Sequence, residues 1–296
     1  MDRILITGAS GFLGSNTVKY LKKNYRIICG YNKFAPPENR VIRLDLSDIT
    51  SIKSNLNKLK PDTIIHTAAV SRPSVCNQNP DKAEIINIKA TQKIAEWSRD
   101  KQARLIFTST DTVYSGKNPP YSEKDKLDAV NYYGKTKVTA EGIIKKLCSN
   151  YVILRLALMY GRGYYERKYS SEWLERDLKI KNNQKDNEPT GLYIDQYRSM
   201  ISVKDVARVI NELVRSNTQG VLNLGGPDSI NRYDFGVKLC SVLGLSKKLI
   251  KPVKFKDTDP KIASPADVTL EVEKAKNLLS TNLLSISDGL ALEYQL

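Results

Sequence analysis

The first half of the chain alternates short apolar runs with longer stretches in which apolar and polar residues follow helical spacing. The short runs are rich in Ile, Leu and Val, which is typical of strands, and the longer stretches have the period of amphipathic helices. This alternation predicts β-α-β units, whose crossover connections are right-handed. We therefore expect an α/β fold with a Rossmann-type, doubly wound parallel sheet.

The same pattern places each element along the chain. Strands are predicted at Arg3–Thr7, Arg26–Cys29, Val41–Leu44, Thr63–Thr67, Arg104–Ser109 and Tyr151–Leu156. Helices are predicted at Phe12–Lys23, Ile49–Leu59, Asp81–Asp100 and Asn131–Cys148.

Beyond about residue 160 the alternation loosens, and the polar run from Lys179 to Glu188 indicates an exposed loop or a helix end. Residues 1–160 are expected to form the Rossmann-type domain, with segments near 201–226 returning to it. Residues 161–296 are expected to form a smaller, interleaved C-terminal substrate domain. Regular patterns in this half predict a helix at Val203–Ser216, a strand at Val221–Leu224 and a helix at Tyr233–Leu243.

The composition adds a strong positive charge. The 296 residues carry 47 Lys and Arg against 32 Asp and Glu, a formal net charge of +15 that favours acidic partners. The lysines are spread along the chain apart from pairs such as Lys22-Lys23, and no basic segment interleaved with aromatic residues indicates nucleic-acid binding. We therefore expect a phosphorylated small molecule as partner, and no nucleic acid.

The cysteines and the N-terminus indicate the compartment. Cys29, Cys76, Cys148 and Cys240 are scattered without a C-x-x-C pair, which argues against a disulfide framework and a thiolate metal site. Only a short apolar run precedes Gly8, too short for a signal peptide or a membrane span. We expect a cytoplasmic protein with no bound metal and no membrane association.

A glycine triplet follows the first predicted strand. Gly8, Gly11 and Gly14 form G-x-x-G-x-x-G directly after the strand and directly before an amphipathic helix. That context is what a dinucleotide-binding turn requires, because the backbone approaches the pyrophosphate and the helix N-terminus supplies amide donors. The triplet therefore predicts a nicotinamide dinucleotide site.

The end of the second strand bears on which dinucleotide binds. NAD sites usually place an acidic residue there to accept the ribose hydroxyls. In this chain the segment that ends in Asn32 and Lys33 has no acidic residue, and the first one met is Glu38. Because Lys33 or Arg40 can neutralise a 2′-phosphate, we expect NADP to be preferred, with NAD as the alternative.

Tyr133 and Lys137 lie four residues apart on a predicted helix and therefore share one face. An ammonium about 4 Å from a phenol favours the phenolate by roughly 4 kcal/mol at an effective dielectric of about 20. This argument predicts that Lys137 lowers the pKa of Tyr133 towards neutrality. Such a tyrosine exchanges a proton with an alcohol or ketone oxygen during hydride transfer.

Ser109, Thr110 and Asp111 follow the apolar run of the fifth strand. They should therefore lie at the carboxyl edge of the sheet, where ligands of open α/β folds bind. A hydroxyl there can hydrogen-bond a substrate carbonyl.

Together, these motifs resemble the extended short-chain dehydrogenase/reductase family over nearly the whole chain. Within it the sequence is most similar to dTDP-4-dehydrorhamnose reductases and their relatives. The resemblance implies NADPH-dependent reduction of the keto group of a nucleotide-activated 4-keto-6-deoxy sugar. The segments that carry this similarity are Ser109-Thr110-Asp111-Thr112-Val113-Tyr114, Tyr133-Gly134-Lys135-Thr136-Lys137, Val203-Lys204-Asp205-Val206-Ala207 and Gly220-Val221-Leu222-Asn223-Leu224-Gly225-Gly226.

The resemblance also implies roles for individual residues. Thr110, Tyr133 and Lys137 would form the catalytic triad. Asp45 would lie near the adenine. Ser109, Asp111 and Arg198 are expected to contact the substrate, Arg198 at a phosphate. Besides Tyr133 and Lys137, the residues expected at the cofactor are Gly8, Ser10, Gly11, Phe12, Leu13, Gly14, Asn32, Lys33, Arg40, Asp45, Leu46, Ala68 and Ala69.

Other functions within the resemblance differ at identifiable positions. Related dehydratases carry Thr-Asp-Glu where this chain has Thr110-Asp111-Thr112, and the missing carboxylate argues against elimination of water. Epimerases keep the same Tyr and Lys and form one alternative. The regulatory β subunit of methionine adenosyltransferase, which docks on an enzyme, is an alternative of another class.

The sequence leaves open the sugar, the nucleotide, the product stereochemistry, the oligomeric state and any Mg²⁺ dependence. Relatives are often dimers, so a homodimer is one expectation.

Overall fold

A computed structural model describes residues 2–165, 169, 172–183, 188–257 and 263–294. Within these residues, seven strands form one sheet in the order β3-β2-β1-β4-β5-β6-β11, and every neighbouring pair is parallel. This is the Rossmann strand order extended by one strand, so the predicted fold class is confirmed. The seven strands are β1 Arg3–Thr7, β2 Arg26–Tyr31, β3 Val41–Arg43, β4 Thr63–His66, β5 Arg104–Thr110, β6 Tyr151–Leu156 and β11 Gly220–Leu224.

Helices cover both faces of the sheet. On one face α1 and α8 pack together over a core that includes Val18 and Val209, and on the other α2, α5 and α6 enclose Ile94 and Ile144. The helices are α1 Phe12–Leu21, α2 Ile49–Leu59, α3 Pro73–Gln78, α4 Pro80–Ala83, α5 Ala90–Lys101, α6 Tyr132–Leu147, α7 Trp173–Asn183, α8 Val203–Arg215, α9 Arg232–Val242, α10 Glu273–Leu278 and α11 Ile286–Tyr294.

The predicted helix over 81–100 differs from the structure. Its first part is α4, which is followed by a π-helical segment at Glu84–Lys89 before α5 begins. The wider turn places Asn87 so that its side chain contacts both the backbone of Val70 and the hydroxyl of Thr136. A π-helical turn is invisible to a search for helical period, because the apolar spacing on either side is preserved.

A third core lies outside the sheet and joins α7, α9 and α11 with short strands. Of the polar run at 179–188, Lys179 to Asn183 form the end of α7, while residues 184–187 lie outside the described residues. The short strands pair as β7 with β10, β8 with β13, and β9 with β12. Their bounds are β7 Met159–Tyr160, β8 Thr190–Tyr193, β9 Tyr197–Arg198, β10 Ile201–Ser202, β12 Ile230–Asn231 and β13 Ile250–Val253.

Segments from the second half of the chain return to the sheet. Helix α8 packs on α1, and β11 pairs with β6 in register from Gly220 opposite Val152. In addition, Leu270 bridges to Tyr121, and α10 packs against β11. The last return is not indicated by the sequence pattern, because the residues that make it belong to short, irregular stretches.

Candidate active site

A cavity of about 800 Å³ opens at the carboxyl edge of the sheet. It is lined by the glycine turn after β1, by the segments after β4, β5 and β6, and by the start of α6. Arg40, Asp45 and Leu46 are not among its lining residues. The predicted site residues that line it are Gly8, Ser10, Gly11, Phe12, Leu13, Gly14, Asn32, Lys33, Ala68, Ala69, Ser109, Thr110, Asp111, Tyr133, Lys137 and Arg198.

The glycine turn has a shape that side chains would prevent. Gly8 has a φ of +69°, and a Cβ there would lie 2.9 Å from the backbone of Ala68. A Cβ on Gly14 would lie 2.1 Å from the carbonyl oxygen of Gly8. The turn therefore brings backbone and the start of α1 to the cavity wall, which fits the pyrophosphate of a dinucleotide.

The ends of β2 and β3 meet at one side of this turn. The Asn32 amide donates to Asp45 at 3.2 Å, and the hydroxyl of Ser47 donates to the same carboxylate at 2.6 Å. The Ser47 hydrogen bonds lower the pKa of Asp45. Asp45 thus stands behind the cavity-lining Asn32, while Leu46 is buried.

Of the two cations predicted at the cofactor, only Lys33 lines the cavity. Arg40 precedes β3 and lies at the amino end of that strand, and its backbone carbonyl accepts from the Cys29 amide at 2.9 Å. The carboxyl ends of the parallel strands form the cavity, so a residue before β3 is on the wrong side of the strand. Arg40 therefore does not line the cavity, and its placement at the cofactor stays a prediction.

Helix α6 carries the predicted proton donor, and its first turn is set by local contacts. The side chain of Asn131 caps the helix by accepting from the Gly134 amide at 2.9 Å. A Cβ on Gly134 would lie 2.4 Å from the Thr112 carbonyl oxygen, so only glycine permits this close approach. The approach brings the neighbouring Tyr133 towards the end of β5, where Thr110 is close enough to its hydroxyl to affect its pKa.

The pKa values of Tyr133 and Lys137 differ from those expected from their spacing along the helix. Burial lowers the pKa of Lys137 to about 7, while its Nζ lies 4.2 Å from the centre of the Phe107 ring. Burial, followed by the charge of Asp111, raises the pKa of Tyr133. The prediction that Lys137 lowers the pKa of Tyr133 is therefore wrong for this structure. The spacing argument counted the attraction between charges and left out their removal from water, which dominates here.

Two of the predicted substrate contacts are engaged inside the protein. The Ser109 hydroxyl donates to Glu141 on α6 at 2.6 Å, which argues against its use for a substrate carbonyl. The guanidinium of Arg198 donates to the carbonyl oxygens of Pro265 at 2.8 Å and Ala266 at 3.1 Å. Arg198 therefore holds the segment around 265 against the cavity wall.

Sequence reasoning missed several residues that line this site, one of them charged, and an asparagine that supports it. Arg232, the first residue of α9, lines the cavity, and Asn87 bridges the Val70 backbone to α6. Asn87 interrupts the apolar run Ile85-Ile86-Asn87-Ile88, a signal that could have singled it out. Arg232 has no comparable signal, because it lies in a segment far along the chain from the motifs.

Across the described ranges, no group of three or more His, Cys, Asp or Glu is arranged to hold a metal ion. In the same part of the chain, no helix combines the length and the apolar character needed to cross a membrane. The four cysteines are unpaired and buried.

Comparison with known proteins identifies the family. Residues 1–293 match the family described as "RmlD substrate binding domain". The chain belongs to this family. This RmlD-family chain is 30% identical to methionine adenosyltransferase 2 subunit beta of Xenopus laevis over 258 residues, covering 85% of this chain and 75% of the relative.

Two further relatives cover almost the whole RmlD-family chain. A probable low-salt glycan biosynthesis reductase, Agl14 of Haloferax volcanii, is 27% identical over 97% of this chain and 95% of its own. The crystal structure of dTDP-4-dehydrorhamnose reductase from Bacillus anthracis, in complex with NADP, superposes with a TM-score of 0.86, at 24% identity and 99% coverage of both chains. The resemblance drawn from the motifs is thereby confirmed.

Proposed function

We propose that this protein uses NADPH to reduce the keto group of a nucleotide-activated 4-keto-6-deoxy sugar. One observation carries the proposal: a single cavity joins the glycine turn to Thr110, Tyr133 and Lys137. A dinucleotide cradle that opens onto a phenol and a hydroxyl has the groups that reduction of a ketone requires. Membership of the RmlD family and the similarity to the Haloferax reductase support the same function.

The chain's own residues would supply binding and a proton. When bound, the nicotinamide supplies the hydride. Because burial and Asp111 raise the pKa of Tyr133, its hydroxyl keeps its proton at neutral pH. That state suits reduction, in which the ketone oxygen must receive a proton. Thr110 lines the same cavity as Tyr133 and would orient the phenol and the substrate oxygen together.

A second candidate is a regulatory subunit that docks on another enzyme. The 30% identity to methionine adenosyltransferase 2 subunit beta favours it. The two candidate functions can be distinguished with a keto sugar, because a reductase converts it to product and a docking subunit does not need to. The homodimer and the cytoplasmic location remain predictions under either candidate.

The deciding experiment is NADPH oxidation by the purified protein with a panel of 4-keto-6-deoxy sugar nucleotides. The proposal expects turnover with at least one member, with product confirmed by mass spectrometry. If nothing in the panel is reduced while NADPH binds, the reductase proposal fails and the docking function takes its place. Interconversion of sugar epimers without net NADPH oxidation would indicate an epimerase.

The expected preference for NADPH also has a direct test. Lys33 is exposed beside the cavity, so we expect Lys33→Ala to weaken NADPH binding by about threefold to tenfold, with NADH binding unchanged. Calorimetric titration with each cofactor measures this. Arg40→Ala is the matched control, because it removes an exposed cation that does not line the cavity. A parent protein that binds NADH more tightly than NADPH contradicts the preference.

A further inference from the structure

The cavity contains a cation that the proposed reduction does not use. Arg232 lines the cavity, and its Nε is buried without a hydrogen-bond partner among the described residues. Among the described residues its guanidinium takes part in no ion pair or hydrogen bond. Its backbone lies at the start of α9, where Asn231 caps the helix by accepting from the Asp234 amide at 2.8 Å.

Arg232 belongs to a cluster of three charged residues that we call the cavity cluster: Asp111, Arg198 and Arg232. Arg198 Nε lies 3.9 Å from Asp111 Oδ2, and that oxygen, like Arg232 Nε, is buried without a hydrogen-bond partner in the described residues. Burial and the charge of Arg198 lower the pKa of Arg232 to about 10, so it stays cationic at neutral pH. The carboxylates of Asp111 and Asp267 both act on Arg198, whereas Asp111 is the one carboxylate among the described residues that acts on Arg232.

A guanidinium at a cavity wall that has neither an ion pair nor a hydrogen bond among the described residues favours a ligand of opposite charge. The cluster's position narrows the choice of ligand. Asp111 directly follows Thr110 and is close enough to Tyr133 to affect its ionisation. The cluster therefore lies at the reacting end of the cavity, whereas the glycine turn fits the cofactor's pyrophosphate.

We propose that Arg232 is a specificity-determining residue that binds an oxyanion of the substrate, a phosphate or a carboxylate oxygen, at the reacting end of the cavity. Asp111 Oδ2 accepts a hydrogen bond from a hydroxyl of the same molecule. This inference rests on the proposed function because it takes the substrate bound in the cavity to be a nucleotide sugar. It adds the requirement that a negatively charged group reaches Arg232.

The test is calorimetric titration of the NADPH-loaded protein with dTDP, UDP-glucose and UDP-glucuronic acid. Because a hydrogen bond to a charged group contributes about 1.5–3 kcal/mol, Arg232→Gln should weaken nucleotide binding by about tenfold to a hundredfold. Equal losses for dTDP and UDP-glucose assign the oxyanion to the diphosphate. A loss confined to UDP-glucuronic acid assigns it to a carboxylate on the sugar.

Three controls keep the result interpretable. Lys238→Gln removes a cation from the exposed part of α9, where its Nζ donates to Ser287 at 3.1 Å, and should change none of the affinities. Arg232→Lys keeps the charge and should retain part of the binding. NADPH affinity of Arg232→Gln should match the parent, and cooperative thermal unfolding should show that the variant is folded.

Binding of all three nucleotides by Arg232→Gln within twofold of the parent would overturn the inference, as would a parent that binds none of them. Failure of the proposed function is a separate result. In that case the parent binds nucleotides and loses affinity on Arg232→Gln, yet reduces no keto sugar.

Discussion

Arg155 and Arg232 are two guanidinium groups near the carboxyl edge of the same sheet, with opposite surroundings. Arg155 is 1% exposed and donates to Glu141 at 2.8 Å, to the Tyr114 hydroxyl at 2.7 Å and to the Glu123 carbonyl at 3.1 Å. Arg232 has no such partner among the described residues. Arg155, Glu141, Tyr114 and Ser109 form what we call the scaffold cluster.

The scaffold cluster and the cavity cluster differ in whether their charged groups have hydrogen-bond partners, and this indicates different roles. In the scaffold cluster each buried charge meets an opposite charge and hydrogen bonds, so the cluster joins α6 to β5 and β6. In the cavity cluster a carboxylate oxygen and a guanidinium nitrogen lack hydrogen bonds. Partnered charges are therefore expected to contribute to stability, and charges without partners to binding and catalysis.

The largest effect is expected from a substitution in the cavity, and it should change the catalytic activity without changing stability. Tyr133→Phe removes the proton donor and should lower turnover by about 10²-fold to 10⁴-fold. NADPH affinity and thermal unfolding should be nearly unchanged. The measurement is NADPH oxidation with a substrate from the panel. Tyr132→Phe is the control and should be nearly neutral, and full activity of Tyr133→Phe would show that another group delivers the proton.

The next effect is expected in the scaffold cluster, on stability. Arg155→Met leaves Glu141 charged and buried, so the free energy of unfolding should fall by about 3–5 kcal/mol. Denaturant titration measures it. Arg99→Met is the matched control, because Arg99 is half-exposed beside Asp100 and its removal should change the free energy of unfolding little. Adding Glu141→Leu to Arg155→Met should restore part of the loss.

If Arg155→Met lowered the free energy of unfolding as little as Arg99→Met, the scaffold cluster would contribute no more to stability than a surface ion pair.

A smaller effect is expected from Lys137, and it depends on pH. Its pKa is about 7 in the folded chain and about 10.5 when unfolded, so the unfolded state binds more protons between these values. The free energy of unfolding should therefore rise with pH through this window. Lys137→Met should remove about 2 kcal/mol of that rise between pH 7 and pH 9.

Denaturant titrations at the two pH values compare the parent with Lys137→Met. Lys135→Met, an exposed position on the same helix, should keep the parent's slope. Equal slopes for the parent and Lys137→Met would mean that Lys137 is as well solvated in the folded chain as in the unfolded one.

Much of the fold could be predicted from the sequence because it depends on local pattern. The bounds of β1, β6 and α2 agree with the prediction residue for residue, since alternation and length decide them. The glycine triplet and the spacing of Tyr133 and Lys137 are local too, and both reach the cavity. The predictions that failed concern side-chain contacts. Ser109 was expected to contact the substrate but donates to Glu141, a partner 32 residues away that strand alternation cannot identify.

By itself the sequence determined the parallel sheet, the glycine turn and the residues around the predicted proton donor, because each depends on periodicity or spacing within a short segment. Only the tertiary structure decided the electrostatics. It buried Lys137 and largely removed Tyr133 from water, and this removal shifts the pKa values of both side chains. It also brought Arg232 to the cavity wall that Asp111 lines, across 121 residues of chain, by returning the second half of the chain to the carboxyl edge of the first. Desolvation and long-range proximity exist only once the chain is packed, so no local pattern records them.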